Sequence, residues 1–412
     1  MYNPYAGNIL IDRLRPLLSR DEAMAALTYL PAVHENIAEV PPHIRLHILQ
    51  NVRSMHIPHP SELRLFETVE LNMRSNLASL DPRNPSARRF INKEKGGSRP
   101  IPPAMSAIVE ALSGVGKTAA AKHILGTLEQ LIIHDDFPDV AWPVPQLVWI
   151  SCTVPGSGKL VDLARALMRE TDRVCQTSIF DDDLAKPRPD AEEMLNRWIC
   201  EANSLYLGQL HLDEIQNLFT LPTLEARRRK KDDARRISSL SLKDDLCLRG
   251  LLTLMNSQIS VLFTGTPDVT PAFNTRFSTG QRISEGGHHR FKPIEKVSDP
   301  YYQQLLGELM KHQYVADPLN KKDAHELPQL LLDLTGGVLR IIFALWIGAH
   351  RVAFLRQNTD SLRLGDFERA SVLYQQAIHS PIEAVRSRDP KRMGEFSDML
   401  PSDDANWAAN WG

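Results

Sequence analysis

Apolar runs short enough to be strands alternate with helix-length segments through the middle of the chain. Ala107, Ile108 and Val109 lead into a glycine turn and then into 119–125, whose alanines and leucine suit a helix. A second run at 146–151 precedes a helix-like 159–170, a third at 205–212 precedes a long polar region, and a fourth at 259–263 precedes a loop. Such alternation predicts an α/β fold with a central parallel sheet flanked by helices, because parallel strands need crossovers that pack on the sheet faces. The pattern changes after Pro293, where 302–314, 327–334, 338–355 and 364–377 show helical periodicity and few strand signals. These predict a small all-helical lid. Residues 1–98 read as a mostly helical leader with many prolines, among them Pro41, Pro42, Pro58 and Pro60, and GGSRPIPP at 96–103 marks a loop and a boundary. The expected organisation is a helical N-terminal region (1–98), the α/β core (99–293), the helical lid (294–385) and a tail (386–412).

Composition narrows the classes little. With 412 residues, 42% hydrophobic and 24% charged, the chain is ordinary for a globular protein of two or three domains. A net charge of −2 excludes a globally basic nucleic-acid binder, so any DNA site must be a local cluster. Cys152, Cys175, Cys200 and Cys247 lack CxxC spacing and are too few to staple the chain, which fits buried thiols in a reducing compartment. Residues 1–20 lack a basic segment followed by an apolar stretch, and 338–355 is interrupted by Arg340, His350 and Arg351. No export signal or membrane span is expected, and the cytosol is the expected location.

The glycine turn carries the chemistry. Ser113-Gly114-Val115-Gly116-Lys117-Thr118, continuing into Ala119, stands between a strand and a helix, the order of a phosphate-binding loop. Backbone N–H groups of such a loop converge on phosphate oxygens and the helix N-terminus favours negative charge. Lys117 would reach the β and γ phosphates of ATP, and Thr118 would ligate Mg²⁺. The full pattern asks for glycine where Ala111 stands, and alanine serves provided its φ is negative. The run 205–212 ends in Asp213-Glu214, expected at the carboxyl end of a strand adjoining the loop strand. Asp213 would hold the Mg²⁺ shell and Glu214 would orient and polarise the attacking water. His211, inside that strand, reads as a packed histidine and not a ligand.

In order, GVGKT, LDEIQNL, VLFTGTP and TGGVLR with a helical lid resemble the AAA+ fold. That resemblance implies further roles. Thr264 or Thr266, at a strand end, would sense the γ-phosphate, and Arg340, in the first turn of a lid helix, would reach across to it. An arginine from the stretch holding Arg276, Arg282 and Arg290 would enter the neighbouring subunit's site, with Arg282 favoured and Arg276 second. More narrowly, Leu207-Gly208, 212–218, Gly265-Thr266-Pro267, 384–387, 396–400 and, weakly, 2–5 resemble TnsC, the ATP-dependent regulator of heteromeric bacterial transposons and their CRISPR-associated relatives. The similarity covers 100–400 and is strongest over 107–285. It implies a homo-oligomeric ring or helical filament on double-stranded DNA that receives a signal from a target-selection protein and recruits or activates the transposase. ATP hydrolysis would then disassemble it.

Phosphate contacts on arbitrary DNA need cations and hydroxyls. Lys159, Arg165, Arg169, Arg173, Thr177, Lys186 and Arg188 form the favoured cluster, interrupted by Asp181, Asp182 and Asp183; the other is 227–231 with Arg235 and Arg236. Two other readings stand beside the first. One is an AAA+ replication initiator or helicase loader, expected to carry a DNA-reading domain where only a short stretch follows the lid here; the other is a signalling scaffold that binds nucleotide without turnover.

Overall fold

A computed structural model describes residues 2–91, 103–137, 143–220, 241–242, 245–267, 269, 277–356, 359–393, 395–396 and 399. As far as residue 291 the principal elements are α1 (Pro60–Ser79), β1 (Ser106–Ala111), α2 (Lys117–Leu125), β2 (Leu131–His134), β3 (Val144–Leu147) and β4 (Trp149–Thr153). They continue with α3 (Leu160–Cys175), α4 (Ala191–Ser204), β5 (Gln209–Asp213), β6 (Phe219–Thr220), β7 (Ser241–Leu242), α5 (Asp245–Met255), β8 (Ser260–Gly265), α6 (Phe277–Ser284) and β9 (Gly287–Phe291). The described residues fall into two compact units, one from Met1–Arg20, Glu62–Glu110 and Lys117–Arg290, the other from Asp21–Ser61, Ala111–Gly116 and Phe291–Gly412.

The first unit is built on a five-stranded sheet in the order β4-β5-β8-β1-β9, in which β4/β5, β5/β8 and β8/β1 are parallel. Every residue of β1, β5 and β8 is buried, as covered parallel strands require. The order corrects one expectation. β8 stands between β1 and the acidic strand β5, which therefore do not adjoin. The apolar run Val261, Leu262 and Phe263 suits β8 to a covered interior slot, while crossovers free strand order from chain order.

A second correction concerns 146–151, which is not one strand. β3 pairs antiparallel with β2, whereas β4 joins the main sheet. The chain changes ladders at Val148, whose N–H donates to the Gln130 carbonyl (2.9 Å). Likewise 205–212 becomes a strand only at Gln209, after Tyr206 turns through a left-handed φ of 50°. Helix α3 shows why its sequence reads as helix: Leu160, Leu163, Ala164, Leu167, Met168 and Thr171 are buried at intervals of three and four. They pack with α4, whose buried Trp198 donates its indole N–H to the Thr171 hydroxyl (2.9 Å).

The second unit is helical, as the periodicity after Pro293 predicts, with α7 (Pro300–Leu309), α8 (Lys321–Thr335), α9 (Leu339–Leu355), α10 (Leu364–Tyr374) and α11 (His379–Ser387). The early helix Pro42–Leu49 belongs with it, and Leu49 joins a core built on Tyr302, Tyr314, Trp346 and Phe367. Gly336 and Gly337 make the α8–α9 corner. Gly337 has φ 71°, and a Cβ there would stand 1.9 Å from the Ile294 carbonyl oxygen, so no other residue fits. Among the described residues no single helix is long and apolar enough to cross a membrane; α8 and α9 together pass that test only as a pair bent by 120°.

His350, fully buried on α9, accepts from the Tyr314 N–H at Nε2 (3.2 Å) and donates from Nδ1 to the Trp346 carbonyl (2.8 Å). Burial pushes its pKa down to about 4. The unfolded chain, titrating near the ordinary value, then binds more protons than the fold between those two pH values. Stability from this site is complete above about pH 6.5 and is lost as pH falls toward 4, with about 2–3 kcal/mol gone by about pH 4.5. Urea titrations should show His350→Gln losing less stability than the parent over that interval; equal losses would refute the assignment.

Candidate active site

The nucleotide loop begins where the strand ends. Ala111 is the last residue of β1, lies outside the left-handed region and is buried, so the missing first glycine is sterically tolerated. Gly114 and Gly116 have φ of 85° and 116°, conformations that favour glycine. Ser113 and Val115 complete the turn, with the Val115 N–H donating to the Leu112 carbonyl (3.3 Å). Within the second unit this loop leans on the first turn of α9. The Arg340 N–H donates to the Gly114 carbonyl (3.1 Å), and a Cβ on Gly114 would meet Val338 Cγ1 at 3.0 Å and Arg340 Cβ at 3.1 Å. Arg340 itself is exposed, with no ion-pair partner among the described residues.

Along the chain the loop runs directly into α2, whose first residues Lys117, Thr118 and Ala119 belong to the first unit. Their N–H groups have no intrahelical partners. Lys117 is buried, yet its Nζ stands 3.8 Å from the Glu214 carboxylate, beyond a hydrogen bond. The Thr118 hydroxyl lies 3.1 and 3.0 Å from the two oxygens of Asp213, which is buried at the carboxyl end of β5.

The next residues are each fastened. Glu214 takes a left-handed φ of 57°, the cost of turning a side chain out of the sheet end, and its carboxylate accepts from the Gln216 side-chain amide. The Gln216 side-chain oxygen in turn accepts from the Thr266 N–H (3.4 Å), and Asn217 donates to the Val154 carbonyl (2.8 Å). Thr266 is buried at the end of β8. Thr264 is fully buried and donates its hydroxyl to Asp213 at 2.5 Å, so it faces that carboxylate. His211 is packed, as its apolar setting predicts, and burial pushes its pKa down to about 4. It is also bonded, with Nε2 3.0 Å from the Thr264 hydroxyl and Nδ1 2.9 Å from that of Ser151. The sequence reading missed Ser151 and Gln216. For His211 a signal was present, since a strand's period of two puts residues 211 and 213 on one face.

The remaining candidates are dispersed. Arg276 lies outside the described residues, as does the cluster 227–231 with Arg235 and Arg236. Arg282 is exposed on α6, its guanidinium donating to the Asn256 side chain. Arg290 is committed within its own unit, 3.0 Å from buried Glu110, which also meets His288 at 3.0 Å. Of the basic cluster, Lys159, Arg169, Arg173, Thr177, Lys186 and Arg188 are all exposed on or around α3. Arg173 pairs with Glu170, Lys186 with Asp183 (2.8 Å), and the Thr177 hydroxyl donates to Asp172 (2.8 Å). The Arg165 guanidinium donates to the Lys186 carbonyl (3.0 Å), leaving Lys159, Arg169 and Arg188 without ion-pair partners among the described residues.

The donor set fits a nucleoside triphosphate with Mg²⁺. A buried ammonium with only a distant carboxylate is held ready for an anion, because an unpaired buried lysine is otherwise costly. Thr118 and Asp213 offer the hard oxygen donors Mg²⁺ prefers. When bound, Mg²⁺ neutralises charge on the phosphates. The parallel sheet, the glycine loop on its β1 strand and the Thr118–Asp213 pair define a P-loop nucleotide-binding core. Residues 103–273 match the family model described as AAA domain. No curated protein matches the chain.

Proposed function

We propose that this protein is an ATP-dependent regulator of DNA transposition of the TnsC type. The observation that carries the ATPase part is the Thr118–Asp213 contact with Glu214 immediately beyond it, a metal-ligand pair beside a carboxylate placed to take a proton. Lys117 binds the phosphates, Glu214 orients a water and accepts its proton, and Arg340 extends from the helix turn that carries Gly114. The transposition part rests on the resemblance of 212–218, 265–267, 384–387 and 396–400 to that family. In this reading ATP drives assembly of a ring or helical filament on duplex DNA, which passes a signal from a target-selection protein to the transposase, and hydrolysis takes the assembly apart. Arg282, exposed and among the described residues paired with a neutral side chain, is the group offered to a neighbouring copy.

Electron microscopy with ATP and duplex DNA should show rings or filaments that ADP does not support. A protein that stays monomeric with ATP and duplex overturns the proposal. The DNA surface has its own test. Replacing Lys159, Arg169 and Arg188 with alanine should weaken binding to all sequences alike and lower the salt slope by about one per cation removed. An unchanged slope in fluorescence anisotropy would place the DNA elsewhere.

A further inference from the structure

Three neighbouring strands contribute one polar group each to a line that ends on Asp213. Ser151 is on β4, His211 on β5 and Thr264 on β8, and the register places Ser151 opposite His211. Separations along the line are 2.9 Å from Ser151 to His211 Nδ1, 3.0 Å from His211 Nε2 to Thr264 and 2.5 Å from Thr264 to Asp213. His211 and Thr264 are fully buried, where an idle imidazole is costly.

The direction of every bond follows from one charge. An ionised Asp213 only accepts, so the Thr264 hydroxyl spends its proton on it and turns a lone pair toward His211. His211 must then carry its proton on Nε2; being neutral, it leaves Nδ1 bare, and Nδ1 accepts from the Ser151 hydroxyl.

We propose that His211 is a positioning residue for the metal site: held by Ser151, it fixes the Thr264 hydroxyl so that Thr264 locks the Asp213 carboxylate in the orientation that meets Thr118 and Mg²⁺. This deepens the ATPase reading of the core and is independent of the transposition reading. It assigns Thr264 to the carboxylate in place of a direct role at the γ-phosphate. A bond to the far side of a metal ligand matters because an outer partner orients the ligand, and losing one typically costs about 10- to 100-fold in metal affinity.

The test combines two readouts. In the unliganded wild-type protein, nitrogen-15 NMR should find His211 protonated at Nε2; protonation at Nδ1 overturns the proposal. In Mn²⁺ titrations followed by electron paramagnetic resonance, with a non-hydrolysable ATP analogue bound, His211→Leu should weaken the ion by about 10- to 100-fold. His211→Gln, whose amide also presents an N–H toward Thr264, should recover most of it. Nucleotide binding in EDTA should be the same for all three. Unchanged Mn²⁺ affinity in folded His211→Leu, or equal losses in the leucine and glutamine variants, overturns the proposal. Should His211→Leu fail to fold, Ser151→Ala decides, because a ring no longer held at Nδ1 must weaken Mn²⁺ while Nε2 keeps its proton, and unchanged Mn²⁺ affinity there overturns the proposal. Failure of the wild-type protein to bind nucleotide in EDTA would instead count against the ATPase reading itself.

Discussion

Glu214→Gln should bind nucleotide as tightly as the parent chain and hydrolyse it about 10²- to 10⁴-fold more slowly, the usual contribution of a positioned general base. The substitution preserves size, and its amide oxygen still accepts from Gln216, so the turn at φ 57° need not move. What disappears is the group able to take a proton from water. Asp213 does not replace it, because its carboxylate is already held by Thr118 and Thr264. Single-turnover phosphate release beside fluorescent nucleotide binding separates the two effects, and hydrolysis at the parental rate would remove Glu214 from its assigned role. If assemblies form on DNA, those of Glu214→Gln should persist where the parent's disperse.

Lys117→Ala carries the second large effect, on binding. Two charge-assisted hydrogen bonds to phosphate at about 1.5–3 kcal/mol each amount to about 10²- to 10⁴-fold in affinity. The unliganded fold should not suffer in proportion. The buried ammonium has a carboxylate only at 3.8 Å, so its removal takes away a desolvated charge together with a weak ion pair. Loss of nucleotide binding with a thermal midpoint equal to or above the parent's is the expected pair of results. A variant that binds nucleotide normally would mean that the loop serves some other purpose.

Much of this was legible because backbone requirements leave marks in sequence. A strand, a turn needing left-handed residues and a helix must be written as apolar run, glycines and helix formers, and 106–125 is written so. Asp213 and Glu214 were legible as acids at a strand end. The position of β8 between β1 and β5 was not, since parallel strands are joined by crossovers and their order is settled by packing of the whole sheet. Nor was β9, whose Gly-His-His-Arg-Phe has no apolar run and is half-buried at a sheet edge. Gln146 misled in the other direction. It looks like the start of a strand into 151, but it is buried in the hairpin, 2.7 Å from His134 and 3.0 Å from the Leu10 carbonyl. Such long-range partners carry no local signature.

The left-handed turn at residue 214 sets chemistry against comfort. Asparagine or glycine would relax that backbone by about 1 kcal/mol. Libraries screened only for thermal tolerance should therefore enrich those residues at 214, and the winners would be robust proteins with no turnover. Heat resistance and a working cycle are rivals at this one codon, so a selection that hardens the protein must also ask it to turn over.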